Sequence, residues 1–315
     1  VGVALSGFPF FHIAGLFFAE NNLYLGWQQC LIPNPRDTKH ICKELEKYKP
    51  TALVNVPSLF QILLKEEKFH ELDHSNLEYC ISAASPFPVE SQQQLEAAVG
   101  EGKLLEVYGM TETSPLTTMN PAKGEKKLGS IGLPLLNTEL KLVDPGTGKP
   151  VPLGEAGEIC VRGPQIMEGY YNKPEETKNA IDKDGFMHTG DVAIMDEEGY
   201  LRIVDRTKDM IIVSGYKVFS TKVEDVLSKH PAIDSIALIG IDNPDRPGSE
   251  IVKAFIQLTP EYQQKDSKAV KEEFIAFAKE KCSPYEVPKL IEFTKEIPLT
   301  AVGKIDKKVL RHSVN

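Results

Sequence analysis

The first 107 residues alternate short apolar runs rich in β-branched residues with segments whose apolar residues recur at helical spacing. A strand–helix–strand unit of this kind places its two strands parallel in one sheet. The alternation therefore predicts a mostly parallel sheet with helices on both faces. The predicted strands are Val1–Leu5, Gln29–Ile32, Thr51–Val56, Leu77–Ser82 and Lys103–Val107, and the predicted helices are Ile13–Leu25, Asp37–Tyr48 with Asp37 as N-cap, Pro57–Lys65 and Val89–Val99.

The pattern changes twice further along the chain. From Gly129 to about Val204, glycine and proline separate short alternating stretches, which predicts antiparallel or barrel-like β structure. From Lys208 onward, helical and strand patterns form a compact α+β block. We therefore predict an α/β fold with a large first domain, 1–207, made of an α/β part (1–128) and a β-rich part (129–207), and a small α+β domain, 208–315.

Charge and cysteine content narrow the functional class. The 36 basic and 45 acidic side chains give a net charge of −9, which argues against a nucleic-acid-binding protein. The five cysteines are odd in number and scattered, without a C-x-x-C pair, so we expect free thiols in a reducing compartment. We therefore expect a cytoplasmic protein, and peripheral association with the inner face of the membrane stays open.

The start of the chain is an apolar run. Residues 1–19 carry no formal charge, but Pro9, His12 and three glycines interrupt them. We expect a buried strand and loop leading into a helix rather than a transmembrane segment. Because Val1 opens inside an apolar run, we also expect a fragment whose true N-terminus lies upstream.

One sequence motif matches a zinc-binding pattern but lies in a polar stretch that is atypical of a zinc site. Residues 70–74, His-Glu-Leu-Asp-His, match the H-E-x-x-H pattern of zinc proteases. Charged residues precede the match and Ser75-Asn76 follow it, whereas a catalytic zinc helix must be buried and needs a third ligand. We expect a solvated loop or helix end here.

A denser cluster of functional groups follows the strand that ends at Val107. Residues 108–113 read Tyr-Gly-Met-Thr-Glu-Thr. Ligands of open α/β folds bind at the carboxyl ends of the strands. A ring can stack on a base, a hydroxyl can bond to a phosphate oxygen, and a carboxylate can bind Mg²⁺. This run therefore predicts a nucleotide site.

The run belongs to an ordered series of motifs across the chain. The motifs lie at residues 9–15, 82–86, 108–112, 157–163, 169–172, 188–191, 205–209, 214–217 and 298–304. In this order they resemble those of the adenylate-forming superfamily of acyl-CoA synthetases, adenylation domains and firefly-type luciferases. Such enzymes convert a carboxylate and ATP into an acyl-adenylate and pyrophosphate, and many then transfer the acyl group to a thiol.

The resemblance implies a role for each nucleotide-binding residue. Ala84 and Ser85 would line the adenine slot, Tyr108 would stack on the base, and Gly109 would belong to the same nucleotide-binding run. Thr111 would bond to the α-phosphate, and Glu112 would bind Mg²⁺. Asp191 would accept from the ribose hydroxyls, and Arg206 would hold the ribose or phosphate side. The alternative for Arg206 is a salt bridge with a neighbouring aspartate.

The resemblance also implies how one site would serve two reactions. Lys304 would stabilise charge on the α-phosphate, and His12 would close the acyl pocket near the carboxylate. The small, mobile C-terminal domain would rotate about Lys208 between the two reactions. Ser214 and Gly215 would then line the path of the CoA arm. The alternative for Lys304 is a surface lysine in a basic tail with Lys307, Lys308 and Arg311. The alternative for His12 is a core histidine.

Departures from the family pattern refine the expected substrate. The Ser/Thr/Gly-rich phosphate loop is missing from these residues, so we expect the chain alone to be inactive. Luciferases and coumarate ligases typically have a lysine where this chain has Ile212 and a glutamine where it has Lys217. Residues 208–215 and 285–293 look more like those of bacterial-type fatty acyl-CoA synthetases. We expect a medium- or long-chain fatty acyl-CoA synthetase that uses ATP, Mg²⁺ and CoA. An aryl-CoA ligase, a carrier-protein-loading domain and a non-catalytic relative are the alternatives.

Overall fold

The computed structural model of the protein describes residues 2–299 and 305–314. The chain forms two compact units. The first comprises Val1–Thr189 and Ala193–Ile203, and the second comprises Gly190–Val192 and Val204–Asn315. The predicted domain boundaries at 128 and 207 stay predictions.

A seven-stranded sheet forms the centre of the first unit, in the order β2-β1-β3-β4-β5-β6-β7. The first five strands in this order pair in parallel, as predicted. β6 and β7 add antiparallel pairs to the sheet. The loop between β5 and β6 is too short to hold the crossover that a parallel pair would need. The strands are β1 (Val3–Ser6), β2 (Gln28–Leu31), β3 (Ala52–Asn55), β4 (Tyr79–Ser82), β5 (Leu104–Gly109), β6 (Leu116–Met119) and β7 (Leu133–Pro134).

Helices connect the parallel strands, and each buries part of its apolar surface. They are α1 (Ile13–Leu25), α2 (Thr38–Tyr48), α3 (Pro57–Leu63), α4 (Glu67–Glu71) and α5 (Val89–Val99). Asp37 caps α2 by accepting from the His40 N–H at 3.0 Å. Fully buried side chains such as Phe60, Phe69 and Leu95 fill the core, each worth about 1.5–3 kcal/mol of transfer free energy.

A four-stranded sheet in the order β11-β10-β9-β8 follows. Its strands are β8 (Glu139–Val143), β9 (Ala156–Arg162), β10 (Met187–Met195) and β11 (Leu201–Arg206), and α6 (Pro174–Ala180) lies between β9 and β10 in the chain. The β8–β9 pair is antiparallel. This confirms the β-rich character predicted for this part of the chain.

The second unit is an α+β structure with its own core. A hairpin of β12 (Ile211–Val213) and β13 (Tyr216–Val218) precedes a sheet in the order β14-β15-β16. Phe274, Leu227 and Leu238 are fully buried between these elements. The remaining elements are α7 (Ser220–Leu227), β14 (Ile233–Asp242), β15 (Glu250–Leu258), α8 (Ser267–Lys281), β16 (Leu290–Thr294) and α9 (Lys307–His312).

These elements confirm the predicted α/β fold class. Within the described residues, no helix is both long and apolar enough to cross a bilayer. All five cysteines are free, as expected. In the H-E-x-x-H run, the His70 and His74 rings bond to the carbonyls of Leu64 and Phe69, so each ring has a local backbone partner.

Candidate active site

The loop that follows β5 is fixed by its own backbone and one hydroxyl. Gly109 ends β5, and a Cβ at this position would lie 1.7 Å from the Pro115 carbonyl oxygen, so only glycine fits. The buried Thr113 hydroxyl accepts from the Met110 N–H at 3.0 Å and lies 2.6 Å from the Pro115 carbonyl oxygen. Thr111, by contrast, is exposed. The loop therefore uses one hydroxyl for its structure and presents the other to solvent.

The Glu112 carboxylate is held by a tyrosine from outside the loop. Tyr170 donates its hydroxyl proton to Glu112 Oε1 at 2.8 Å. The Glu112 carbonyl also accepts from the Met167 N–H at 2.9 Å. Burial, together with the bond to Glu112, raises the pKa of Tyr170 to about 12, so this phenol remains a donor. The sequence placed Tyr170 in a motif but gave it no role.

This carboxylate suits Mg²⁺ better than a thiophilic metal. Mg²⁺ commonly binds one or two carboxylates together with substrate phosphates and water. Glu112 is partly exposed, and its orientation is fixed by Tyr170. One oriented carboxylate beside exposed Thr111 therefore fits a magnesium ion that is shared with a nucleotide.

The predicted adenine-binding residues lie at one edge of the parallel sheet. β4 and β5 are adjacent and parallel, so Ala84 and Ser85, just after β4, lie at the same edge as Tyr108 and Gly109. Ala84 has a φ of +73°, a strained conformation for a residue with a Cβ. Tyr108 is half-buried, and its carbonyl accepts from the Thr117 hydroxyl at 3.1 Å. The structure thus brings these four residues to one sheet edge.

The two predicted ribose-side residues contact each other in the second unit. Arg206 Nε lies 3.1 Å from Asp191 Oδ1, and the Asp191 side chain is 12% exposed. The Thr207 N–H donates to the Gly190 carbonyl at 2.8 Å and holds the two segments together. Arg206 therefore forms a salt bridge with a neighbouring aspartate, which was the alternative to its binding role. The aspartate, Asp191, is itself a predicted binding residue.

A buried polar network lies directly beside Arg206. Asp205 is 1% exposed and accepts from both the N–H and the hydroxyl of Ser220. Lys307 donates to the Ser220 hydroxyl at 2.8 Å and pairs with Glu224 Oε1 at 2.7 Å. Burial raises the pKa of Glu224 to about 7, against the opposing effect of the Lys307 ammonium. No role in this network was predicted for Ser220 or Lys307, because residues this far apart in the chain leave no local signal of their contact.

The other predicted residues occupy turns and helix ends. Ser214 and Gly215 have φ angles of +53° and +87° in the turn between β12 and β13. The exposed Lys208 offers its carbonyl to an Arg311 N–H at 3.1 Å. His12 is half-buried and is the N-cap of α1, where its Nδ1 accepts from the Ala14 N–H at 3.2 Å. Lys304 lies outside the described residues.

Comparison with known proteins decides the family. Residues 2–171 match the AMP-binding enzyme family, and residues 222–304 match the AMP-binding enzyme C-terminal domain. The chain belongs to the AMP-binding enzyme family. The long-chain-fatty-acid–CoA ligase of Escherichia coli O6:H1 is 42% identical over 98% of this chain and 53% of its own length. The corresponding ligase of Bacillus subtilis is 43% identical over 96% of this chain and 52% of its own length.

Solved structures agree with this family membership. ATP-bound MatB from Rhodopseudomonas palustris superposes with a TM-score of 0.88 at 29% identity, over 99% of this chain and 60% of MatB. The anthranilate CoA ligase AuaEII in complex with anthranoyl-AMP gives a TM-score of 0.80 at 30% identity, over 99% of this chain and 59% of the ligase. This AMP-binding enzyme chain spans about half the length of the curated relatives it matches.

Proposed function

We propose that this AMP-binding enzyme chain is part of an ATP-dependent fatty acyl-CoA synthetase. The main support is its 38–43% identity, over nearly its whole length, to relatives named as long-chain-fatty-acid–CoA ligases. In the first reaction, the substrate carboxylate attacks the α-phosphorus of ATP, giving an acyl-adenylate and releasing pyrophosphate. In the second, the CoA thiol attacks the acyl carbonyl, giving acyl-CoA and releasing AMP.

In the first unit, the loop after β5 would bind the phosphates of ATP. Thr111 is exposed and would donate a hydrogen bond to the α-phosphate. Glu112, oriented by Tyr170, would bind a Mg²⁺ ion that neutralises charge on the phosphate oxygens. Tyr108 would stack on adenine, with Gly109, Ala84 and Ser85 along the same sheet edge.

In the second unit, Asp191 would bind the ribose hydroxyls through its two carboxylate oxygens. Arg206 holds one of those oxygens from the side and would fix the carboxylate for this task. Lys304 would stabilise the negative charge that develops on the α-phosphate. Rotation about Lys208 would then bring Ser214 and Gly215 to the CoA arm, and His12 would close the acyl pocket. We further propose a cytoplasmic location with peripheral membrane association.

The substrate class is tested with a panel of acids. The chain, preceded by the phosphate-loop region that the family resemblance predicts, is supplied with ATP, Mg²⁺ and CoA. Acyl-CoA formation is measured with fatty acids of increasing length, 4-coumarate and amino acids. A tunnel lined by apolar groups gains about 0.8 kcal/mol per buried methylene, so kcat/KM should rise with chain length. Product from 4-coumarate alone would favour an aryl-CoA ligase, and no product from any acid would contradict the proposal.

A further inference from the structure

Three potential metal ligands that have no role in the proposed function meet on the four-stranded sheet. Glu158 and Cys160 are two residues apart in β9, so their side chains lie on the same face of the sheet. His188 lies on the neighbouring strand, β10. Within residues 2–299 and 305–314, this is the one group of three His, Cys, Asp or Glu residues whose ligand atoms all lie within 4.8 Å of one another.

One imidazole nitrogen contacts both of the other groups. His188 Nδ1 lies 2.9 Å from Glu158 Oε2 and 3.5 Å from Cys160 Sγ. A hydrogen bond between glutamate and histidine would account for the first contact alone. The convergence of a thiol, a carboxylate and an imidazole nitrogen on one point is the feature that needs a further explanation.

The distance from His188 Nδ1 to Cys160 Sγ suits tetrahedral zinc. With Zn–N and Zn–O distances of about 2.0–2.1 Å and a Zn–S distance of about 2.3 Å, the edges of the tetrahedron are about 3.6 Å for N···S and about 3.4 Å for N···O. The N···S distance in the protein is 3.5 Å, and the N···O distance is 2.9 Å. The Glu158 carboxylate would move outward by about 0.5 Å to reach the N···O edge of the tetrahedron.

The surroundings provide an outer ligand sphere and access from solvent. Histidines that bind zinc usually direct their other nitrogen toward a carboxylate. Here His188 Nε2 faces Asp182 Oδ2 at 3.9 Å, and Lys141 pairs with the same Asp182 oxygen at 3.3 Å. Cys160 is fully buried, whereas the His188 side chain is 30% exposed, so an ion can reach the cluster from the histidine side.

We propose that Glu158, Cys160 and His188 form a Zn²⁺ site with a water molecule in the fourth position. One thiolate and one carboxylate neutralise the divalent charge, and this mixed sulfur, nitrogen and oxygen set favours zinc over Mg²⁺. Binding forms the Zn–S bond and releases the thiol proton to solvent. Burial raises the pKa of Cys160 to about 12, so the thiol keeps its proton until a metal displaces it. The ion would join β9 to β10, whose later residue Asp191 is the proposed ribose ligand.

The test uses the metal-free chain without an affinity tag. Zn²⁺ is added, excess metal is dialysed away, and the bound metal is counted by mass spectrometry. Co²⁺ is then bound in place of Zn²⁺ to look for thiolate-to-cobalt charge-transfer absorption. Cys160→Ser and His188→Gln are compared with Cys282→Ser, which removes a thiol from the other unit.

We expect one Zn²⁺ per chain and a cobalt–thiolate band, both lost in Cys160→Ser and His188→Gln but kept in Cys282→Ser. X-ray absorption of the wild-type zinc complex should show one sulfur at about 2.3 Å, with nitrogen or oxygen at about 2.0–2.1 Å. Because X-ray absorption needs only the wild-type chain, it tests the proposed zinc ligands even where a variant fails to fold. Absence of sulfur from the zinc shell, less than one bound ion, or full binding in a folded Cys160→Ser variant would overturn the proposal. None of these readouts depends on acyl-CoA synthetase activity.

Discussion

A buried ion pair in the second unit offers a sharp test of how this unit is held together. Lys307 Nζ lies 2.7 Å from Glu224 Oε1, and the two side chains are 10% and 12% exposed. Glu224 also accepts from the Leu238 N–H, so the carboxylate fixes β14 as well as α9. Lys307→Met keeps the length of the side chain but leaves the carboxylate buried without its cation. Breaking such a pair from one side costs about 3–5 kcal/mol.

Hydrogen exchange followed by mass spectrometry measures this loss directly. Peptides from α7 and β14 report the free energy of opening in the second unit. At about 1.4 kcal/mol per factor of ten, their protection should fall by at least a hundredfold at pH 8. The loss should be smaller at pH 6, by up to about 1.4 kcal/mol per pH unit, because Glu224 can then bind a proton and become neutral.

Two further variants show whether the ion pair is the cause. Lys308→Met removes a neighbouring exposed lysine and should change protection little. Adding Glu224→Gln to Lys307→Met should recover much of the loss, because the amide carries no charge and can still accept from Leu238. Equal effects of the two lysine variants, or no recovery in the double variant, would show that the Lys307–Glu224 pair does not hold this unit together.

Three other predictions concern the first unit. Burial raises the pKa of Glu106 to about 7, so the free energy of unfolding should fall by roughly 3 kcal/mol as pH rises from about 4.5 to 7. Glu106→Gln should flatten this pH dependence, measured by urea unfolding followed by Trp27 fluorescence, and an unchanged slope would contradict the prediction. Gly109→Ala should destabilise the same transition by about 1–3 kcal/mol through its backbone clash, and an unchanged urea midpoint would be the contrary result. Tyr170→Phe should raise the Mg²⁺ concentration for half-maximal activity about fivefold by freeing Glu112, and an unaltered Mg²⁺ dependence would count against this role.

Local patterns carried most of the fold prediction. The bounds of α1 and α5 match the predicted helices, because apolar spacing and end residues mark a helix within its own segment. The hairpin of β12 and β13 was missed, since each strand has only three residues and its turn uses Ser214 at a positive φ. Short strands with an atypical turn residue give too weak a periodic signal.

The candidate site was predictable in chemistry but not in arrangement. The types of residue at Tyr108, Thr111 and Glu112 indicated a nucleotide site from the sequence. That Tyr170 orients Glu112, and that Lys307 is buried against Glu224, depends on contacts between distant parts of the chain. A single sequence contains no signal for such pairs, because each partner alone is an ordinary polar residue.

The proposed formation of an acyl-adenylate depends most directly on Lys304. The chain, preceded by the predicted phosphate-loop region, is assayed for fatty-acid-dependent ATP–pyrophosphate exchange and, separately, for transfer from a synthetic acyl-adenylate to CoA. Lys304→Ala should slow exchange on the order of 10²–10³-fold and leave transfer nearly unchanged, because in the proposed role the lysine charge would be needed only while the adenylate forms. Lys308→Ala is the matched control and should leave both rates unchanged. Exchange that survives in Lys304→Ala, or an equal loss of both reactions, would contradict this assignment.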